Sequence, residues 1–254
     1  MKKFDYPEAK MVVVCGDIHG DFRSLVFKLC LQYSLIDTLL IVAGDCGFGF
    51  DKPAYYTTIY NQIAGRLQKA NNWVVFVRGN HDDPSYFEEQ KVHYARWRTV
   101  PDYSVVQAAG HNILCIGGAI SVDRVQRMKY DARCNFKSIA TYWQDEAPVF
   151  RPEEIESISS EIQIDTVVTH TAPSRCEISS HAGLESWAEW DPELLKDVAE
   201  ERETMDKIER CIRDHGYPLQ EWFYGHFHQS WTSTLDGIRF SMLDIMEFKE
   251  ILRH

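Results

Sequence analysis

The chain has 254 residues, 44% of them hydrophobic and 26% charged, with a formal net charge of −11. Such a chain can bury a substantial core, and its negative balance excludes a broad basic face for nucleic acid. No run approaches the ~18–20 apolar residues needed to span a bilayer, and Met1-Lys2-Lys3-Phe4 lacks the apolar segment of a signal peptide, so neither is expected. The seven cysteines form no CxxC pair, which reads as reduced, packed thiols in a cytoplasmic protein. Cys46 is read as a small packed turn residue.

Taken in chain order, Met11–Cys15 is an apolar, β-branched run and predicts a buried strand. Residues 21–34 follow with Phe22, Leu25, Val26, Leu29 and Cys30 at helical spacing. A second strand is expected over 39–43, then a helix over Pro53–Lys69 with proline at its start. Trp73–Val77 gives a third strand, after which Pro84 permits a short helix. From 97 to 121 the pattern turns β-rich, with Gly110-His111-Asn112 between 105–108 and 113–117. That reads as a hairpin feeding a second sheet. A helix is predicted over 152–162 and a strand over Thr166–Thr169. Segments 222–228, Trp231–Leu235 and 238–243 read as a closing meander, with Asp236-Gly237 as a tight turn. No repeat or linker interrupts residues 1–254, so a single domain is expected.

Seven metal-capable side chains stand in five short segments of this framework. Asp17 and His19 lie in GDIHG, Asp45 in GDCG, Asn80 in GNHD, His170 in THT, and His226 and His228 in GHFH. Four of the five segments end an apolar strand-like run, and chemistry in α/β sheets collects at the carboxyl ends of strands. Imidazole, carboxylate and amide oxygen without thiolate suit Mn, Fe, Zn, Co or Ni rather than calcium. Two cations about 3.5–4 Å apart need one ligand that reaches both, which a carboxylate does best. Asp45, between the Asp17/His19 pair and Asn80, is the candidate bridge.

Together GDIHG, GDCG, GNHD, THTAP and GHFH resemble the motifs of the calcineurin-like metallophosphoesterases. The resemblance spans residues 16–228 and implies a four-layer α/β/β/α sandwich of two mixed sheets flanked by helices, with a dinuclear site. It implies that Asp17, His19, Asp45 and His228 hold one divalent cation and Asp45, Asn80, His170 and His226 the other, with manganese the first choice. His81 matches the family's non-ligand histidine over the scissile phosphate, with Asp82 as a candidate to orient it. The implied chemistry is hydrolysis of a phosphate monoester or diester, nucleotide-like substrates included. By that resemblance a metal-bridging hydroxide would attack phosphorus and His81 would protonate the leaving group.

Departures from the family narrow this reading. The serine/threonine protein phosphatase branch carries GDxVDRG and GNHE, and its second aspartate falls here at Phe48. The repair nucleases carry a histidine where this chain has Gly47-Phe48-Gly49-Phe50. The chain is therefore nearer the general bacterial and phage phosphoesterases, with a low-turnover metal-bearing nucleotide-binding regulatory module as the rival. Two stretches are additions to the scaffold, at about 121–150 and 174–216. The first holds Arg124, Arg127, Lys129, Arg133 and Lys137; with Arg78, its Arg124 and Arg127 are candidate contacts for substrate phosphate, or partners of nearby acids. The second reads as one or two amphipathic helices, packed on the sandwich or placed as a lid. His181 and His215 are read as structural or surface residues.

Overall fold

The computed structural model describes residues 2–134, 140–176 and 183–252. Strands β1 (Lys3–Tyr6), β2 (Met11–Cys15), β3 (Thr38–Ala43), β4 (Trp73–Val77), β5 (His93–Tyr94) and β6 (Trp97–Thr99) precede residue 100. Strands β7 (Ser104–Ala108), β8 (His111–Ile116), β9 (Thr166–Thr169), β10 (Glu221–Tyr224), β11 (Trp231–Leu235), β12 (Ile238–Met242) and β13 (Phe248–Glu250) follow. One sheet has the order β13-β2-β3-β4-β6-β5, the other β1-β7-β8-β9-β10-β12-β11. Strands β2, β3 and β4 are mutually parallel, as are β8, β9, β10 and β12.

The alternation of side chains across each strand builds four layers. Val12 and Val14 of β2, with Leu39 and Ile41 of β3, point between the sheets to meet Val106, Ile113, Val168 and Phe223. Their neighbours Val13, Cys15, Leu40 and Val42 point outward onto helices α1 (Phe22–Phe27) and α2 (Pro53–Lys69). The other sheet repeats this, turning Leu114, Val167 and Trp222 towards α5 (Pro152–Glu156) and α7 (Leu194–Asp214). Both faces of the central strands are covered, which is why they read as unbroken apolar runs. The fold is thus the expected sandwich of two mixed sheets flanked by helices.

Three local expectations change. The helix predicted over 152–162 stops at Glu156 and continues as turns. Residues 21–34 form α1 and then a π-helical turn, Lys28–Gln32. The closing meander is not formed: β10 lies between β9 and β12, parallel to both, and only β11 and β12 make a hairpin. A wholly buried strand, Glu221–Tyr224, gains more from two neighbours than from its chain successor. The additions supply α4 (Arg124–Arg133), α6 (Leu184–Ala188) and α7, while α3 (Ser85–Glu88) is the short helix after Pro84. All seven cysteines are free, and Cys46 is fully buried. Among the described residues no helix is long and apolar enough to cross a membrane.

Candidate metal centre

The carboxyl ends of β2, β3, β4, β9 and β10 deliver all seven metal-capable residues to one edge. Asp17, His19, Asp45 and His228 each offer a ligand atom, all within 4.8 Å of one another. His228 Nε2 lies 3.0 Å from Asp17 Oδ2 and 3.1 Å from His19 Nε2. A second group gathers beside it: His170 Nε2 is 2.9 Å, and His226 Nδ1 3.0 Å, from Asn80 Oδ1. Asp45 stands between the groups, with Oδ1 3.1 Å from His170 Nε2 and Oδ2 3.9 Å from His19 Nδ1. The local backbone is shaped for this. His19, Asp45, His226 and His228 all have φ between 44° and 69°, a costly conformation outside glycine that concentrates at functional sites. A Cβ on Gly79 would come within 2.2 Å of Asp45 Oδ1, and one on Gly225 within 2.2 Å of Asp17 Oδ1. Glycine therefore precedes Asn80 and His226 to let the carboxylates in.

The donor set fits cations. His170 Nδ1 lies 2.7 Å from the Ala43 carbonyl oxygen. That oxygen can only accept, so Nδ1 carries the hydrogen and Nε2 presents its lone pair inward. Lone pairs of His170 Nε2, Asn80 Oδ1 and Asp45 Oδ1 then face one another, an arrangement that a cation resolves. Without one, a proton serves: burial alone would lower the His170 pKa, but Asp45 and Asp17 outweigh it and raise it to about 9. Burial opposes ionisation of Asp45, yet His170 and the surrounding imidazoles hold it well below the usual carboxylate range. His226 is driven down by burial and by His170, while the hydrogen bond to Asp17 raises His228.

Behind the candidate ligands lies a layer of residues with no motif of its own. Asn80 Nδ2 donates to Ser121 Oγ at 2.9 Å, which turns the amide oxygen towards the imidazoles. Ser121 Oγ also accepts from Arg127 Nη1 at 2.7 Å and donates to Glu146 Oε2 at 2.5 Å. Glu146 is fully buried; burial pushes its carboxyl up to about 7 against the Ser121 hydrogen bonds. On the other side, Glu201 of α7 accepts from Thr171 Oγ1 at 2.7 Å and the Ile120 N–H at 2.5 Å, which ties α7 to the loop after His170. The sequence signal for Ser121 and Glu146 was their place in the 121–150 addition; Glu201 had none beyond interrupting an apolar stripe.

His81 stands over the cluster, its N–H donating to Asp45 Oδ1 at 2.7 Å. Its ring stacks on Phe50 (centroids 6.3 Å, 26°) and meets His19 edge-on at 5.7 Å. Burial lowers its pKa against the pull of Asp45. Asp82 does something other than expected. Its carboxylate accepts from the N–H groups of Cys46, Gly47, Phe48 and Gly79 at 2.8–3.0 Å. It therefore clamps two ligand loops together, and no hydrogen bond joins it to the His81 ring among the described residues. Burial and the Asp45 charge push its carboxyl up to about 7, against the hydrogen bonds from the Cys46, Gly79 and Phe48 N–H groups.

The three arginines expected at substrate phosphate are occupied elsewhere. Arg78 is buried, pairs with Asp102 at 2.9 Å and donates to the carbonyls of Asp145 and Glu146. Arg124 binds Asp191 at 2.5 Å and Asp197 at 2.6 Å, which fastens α4 to the segment carrying α7. Arg127, besides Ser121, donates to the Thr141 carbonyl at 2.6 Å and faces Asp123 at 3.6 Å. Lys137 and His181 lie outside the described residues. The 174–216 addition both packs and covers: Met205, Ile208 and Ile212 join the outer core, while Leu195 and Val198 wall a cavity of about 640 Å³ that opens on Asp45, Asn80 and His226.

A family model described as calcineurin-like phosphoesterase matches residues 10–230. No curated protein matches the chain. Among solved structures, a phosphopantetheinyl hydrolase from Mycobacterium tuberculosis is similar at 14% identity and a TM-score of 0.42, with 97% of this chain and 98% of that chain covered.

Proposed function

Since the chain belongs to the calcineurin-like phosphoesterase family, we propose that it hydrolyses phosphate esters with two divalent cations, manganese first among the candidates. The observation that carries this reading is Asp45, which turns one carboxylate oxygen to the His170 group and the other towards His19. Asp17, His19, Asp45 and His228 would hold one cation; Asp45, Asn80, His170 and His226 the other. When bound, such a pair supplies Lewis acidity at phosphate oxygens and makes water a nucleophile near neutral pH. The remaining work falls to the chain. Ala43 fixes the His170 tautomer, and Ser121 fixes the Asn80 amide. His81, fixed through its own N–H and by Phe50, donates a proton to the departing ester oxygen. It lines the large cavity and also a second one of about 330 Å³, so a leaving group on either side comes within its reach.

Phe48 weighs against protein phosphatase activity. Where that branch places an aspartate, this chain packs a fully buried ring against Phe22, Tyr56, Phe76 and Trp97. The test is nitrophenol release from mono- and bis-p-nitrophenyl phosphate. Turnover should vanish with a chelator and return with Mn²⁺. Protein that binds two metals per chain yet turns over neither ester, nor any other phosphate ester tried, would be the regulatory module instead.

A further inference from the structure

We propose that the substrate is a phosphate ester whose organic group is apolar and uncharged, and that this group lies in the cavity between the metal centre and α6–α7. The proposal rests on the phosphoesterase reading above and adds the substrate class. The cavity, about 640 Å³, has Asn80, His81 and His226 at one end and Ile120, Val122, Leu184, Trp187, Leu195 and Val198 around it. That volume lies within the ~300–1,000 Å³ of pockets for compact organic ligands. Leu195 is 47% exposed, so an apolar guest would cover surface that water now touches.

Charge decides against a polyanion. Among the described residues, Arg202 is the one Lys or Arg on the lining. It donates to the Ala172 carbonyl at 2.6 Å, lies over the Phe227 ring at 4.9 Å and faces Glu201 at 3.8 Å. Asp123, also on the lining, faces Arg127 at 3.6 Å. Arg124 and Arg78 are held by Asp191, Asp197 and Asp102. Away from the metal centre and among the described residues, the lining holds Asp123 and Glu201 besides Asp45 and no Lys or Arg other than Arg202, so the further negative charges of a nucleoside di- or triphosphate are disfavoured by electrostatic complementarity. Among the described residues, the smaller cavity beside His81 adds Asp51 and no Lys or Arg.

The test is a series of n-alkyl phosphates from ethyl to octyl, with ADP alongside, assayed by phosphate release from the Mn²⁺-loaded enzyme. The gain in kcat/KM should be about three- to fourfold per added methylene until the cavity is filled, and ADP should be poorer than hexyl phosphate. Trp187→Ala and Val198→Asp should each flatten the series. Turnover of ethyl phosphate with no dependence on chain length, or a preference for ADP, overturns the proposal and leaves the phosphoesterase reading standing. If neither this series nor the nitrophenyl mono- and diesters are hydrolysed, that reading fails, and n-hexanol still tests the cavity. Calorimetry on metal-stripped protein should show binding with a negative heat-capacity change, lost in Val198→Asp; no binding to wild type rejects the apolar site.

Discussion

Ser121→Ala isolates the support behind one metal position without touching a ligand. The wild-type hydroxyl accepts from Asn80 Nδ2 and Arg127 Nη1 and donates to Glu146. Arg127 keeps its bond to the Thr141 carbonyl, and Glu146 keeps the Ser121 N–H, which alanine retains. The buried Asn80 NH₂ and Glu146 Oε2 lose the hydroxyl, and of the two only the amide faces the metal position. An orphaned buried donor costs about 1–3 kcal/mol, and an amide free to turn over presents hydrogens where the cation needs oxygen. Loss of such an orienting partner typically weakens metal affinity by about 10–100-fold. Mn²⁺ titration by calorimetry should therefore show one weakened site and one unchanged site, the latter held by Asp17, His19 and His228. Urea denaturation in chelator should show the stability loss of about 1–3 kcal/mol. Wild-type affinity at both sites would refute the claim that Ser121 holds the Asn80 amide.

His81→Ala should keep two metals per chain and lose about 10²–10⁴ in turnover, with a smaller loss for nitrophenyl esters, whose leaving groups need little protonation. Equal losses for good and poor leaving groups would rule out proton donation by the ring. Arg124→Ala should destabilise the chain by about 1–3 kcal/mol, between the values for surface and buried pairs, without raising KM. The hydrogen bond from Arg124 holds the Asp191 carboxyl below its ordinary value. That contribution is fully present above the unfolded value of about 3.9 and is lost as pH falls through the lower folded value. The gap between variant and wild type should therefore shrink on acidification. A raised KM with unchanged stability would return Arg124 to the substrate.

What could be read from the sequence, and what could not, follows the range of the interactions. Val12 and Val14 face one core and Val13 and Cys15 the other, so the strand announces itself as an unbroken apolar run. The candidate ligands are legible because all but His170 stand in short glycine-bearing turns, and Gly44, in another turn, makes room for the His170 ring. The choice between substrate contact and ion pairing for the arginines stayed open because their partners are remote: Asp102 lies 24 residues from Arg78, and Asp191 lies 67 from Arg124. An excess of local positive charge cannot reveal that distant acids already neutralise it. Asp82 beside His81 suggested a pair by adjacency, but the loop folds its carboxylate back onto four backbone N–H groups. The pairing of β10 with β12 was hidden for a similar reason, since the hairpin signal at Asp236-Gly237 fixes only β11 and β12.

The central claim is that Asp45 binds both cations, and metal content per chain tests it directly. Wild-type protein loaded with Mn²⁺ and desalted should carry two metals per chain by elemental analysis. His19→Ala should chiefly weaken one site, whereas Asp45→Asn, which keeps the shape and removes the charge shared between the groups, should deplete both. Two metals retained at wild-type affinity in Asp45→Asn would contradict the bridge.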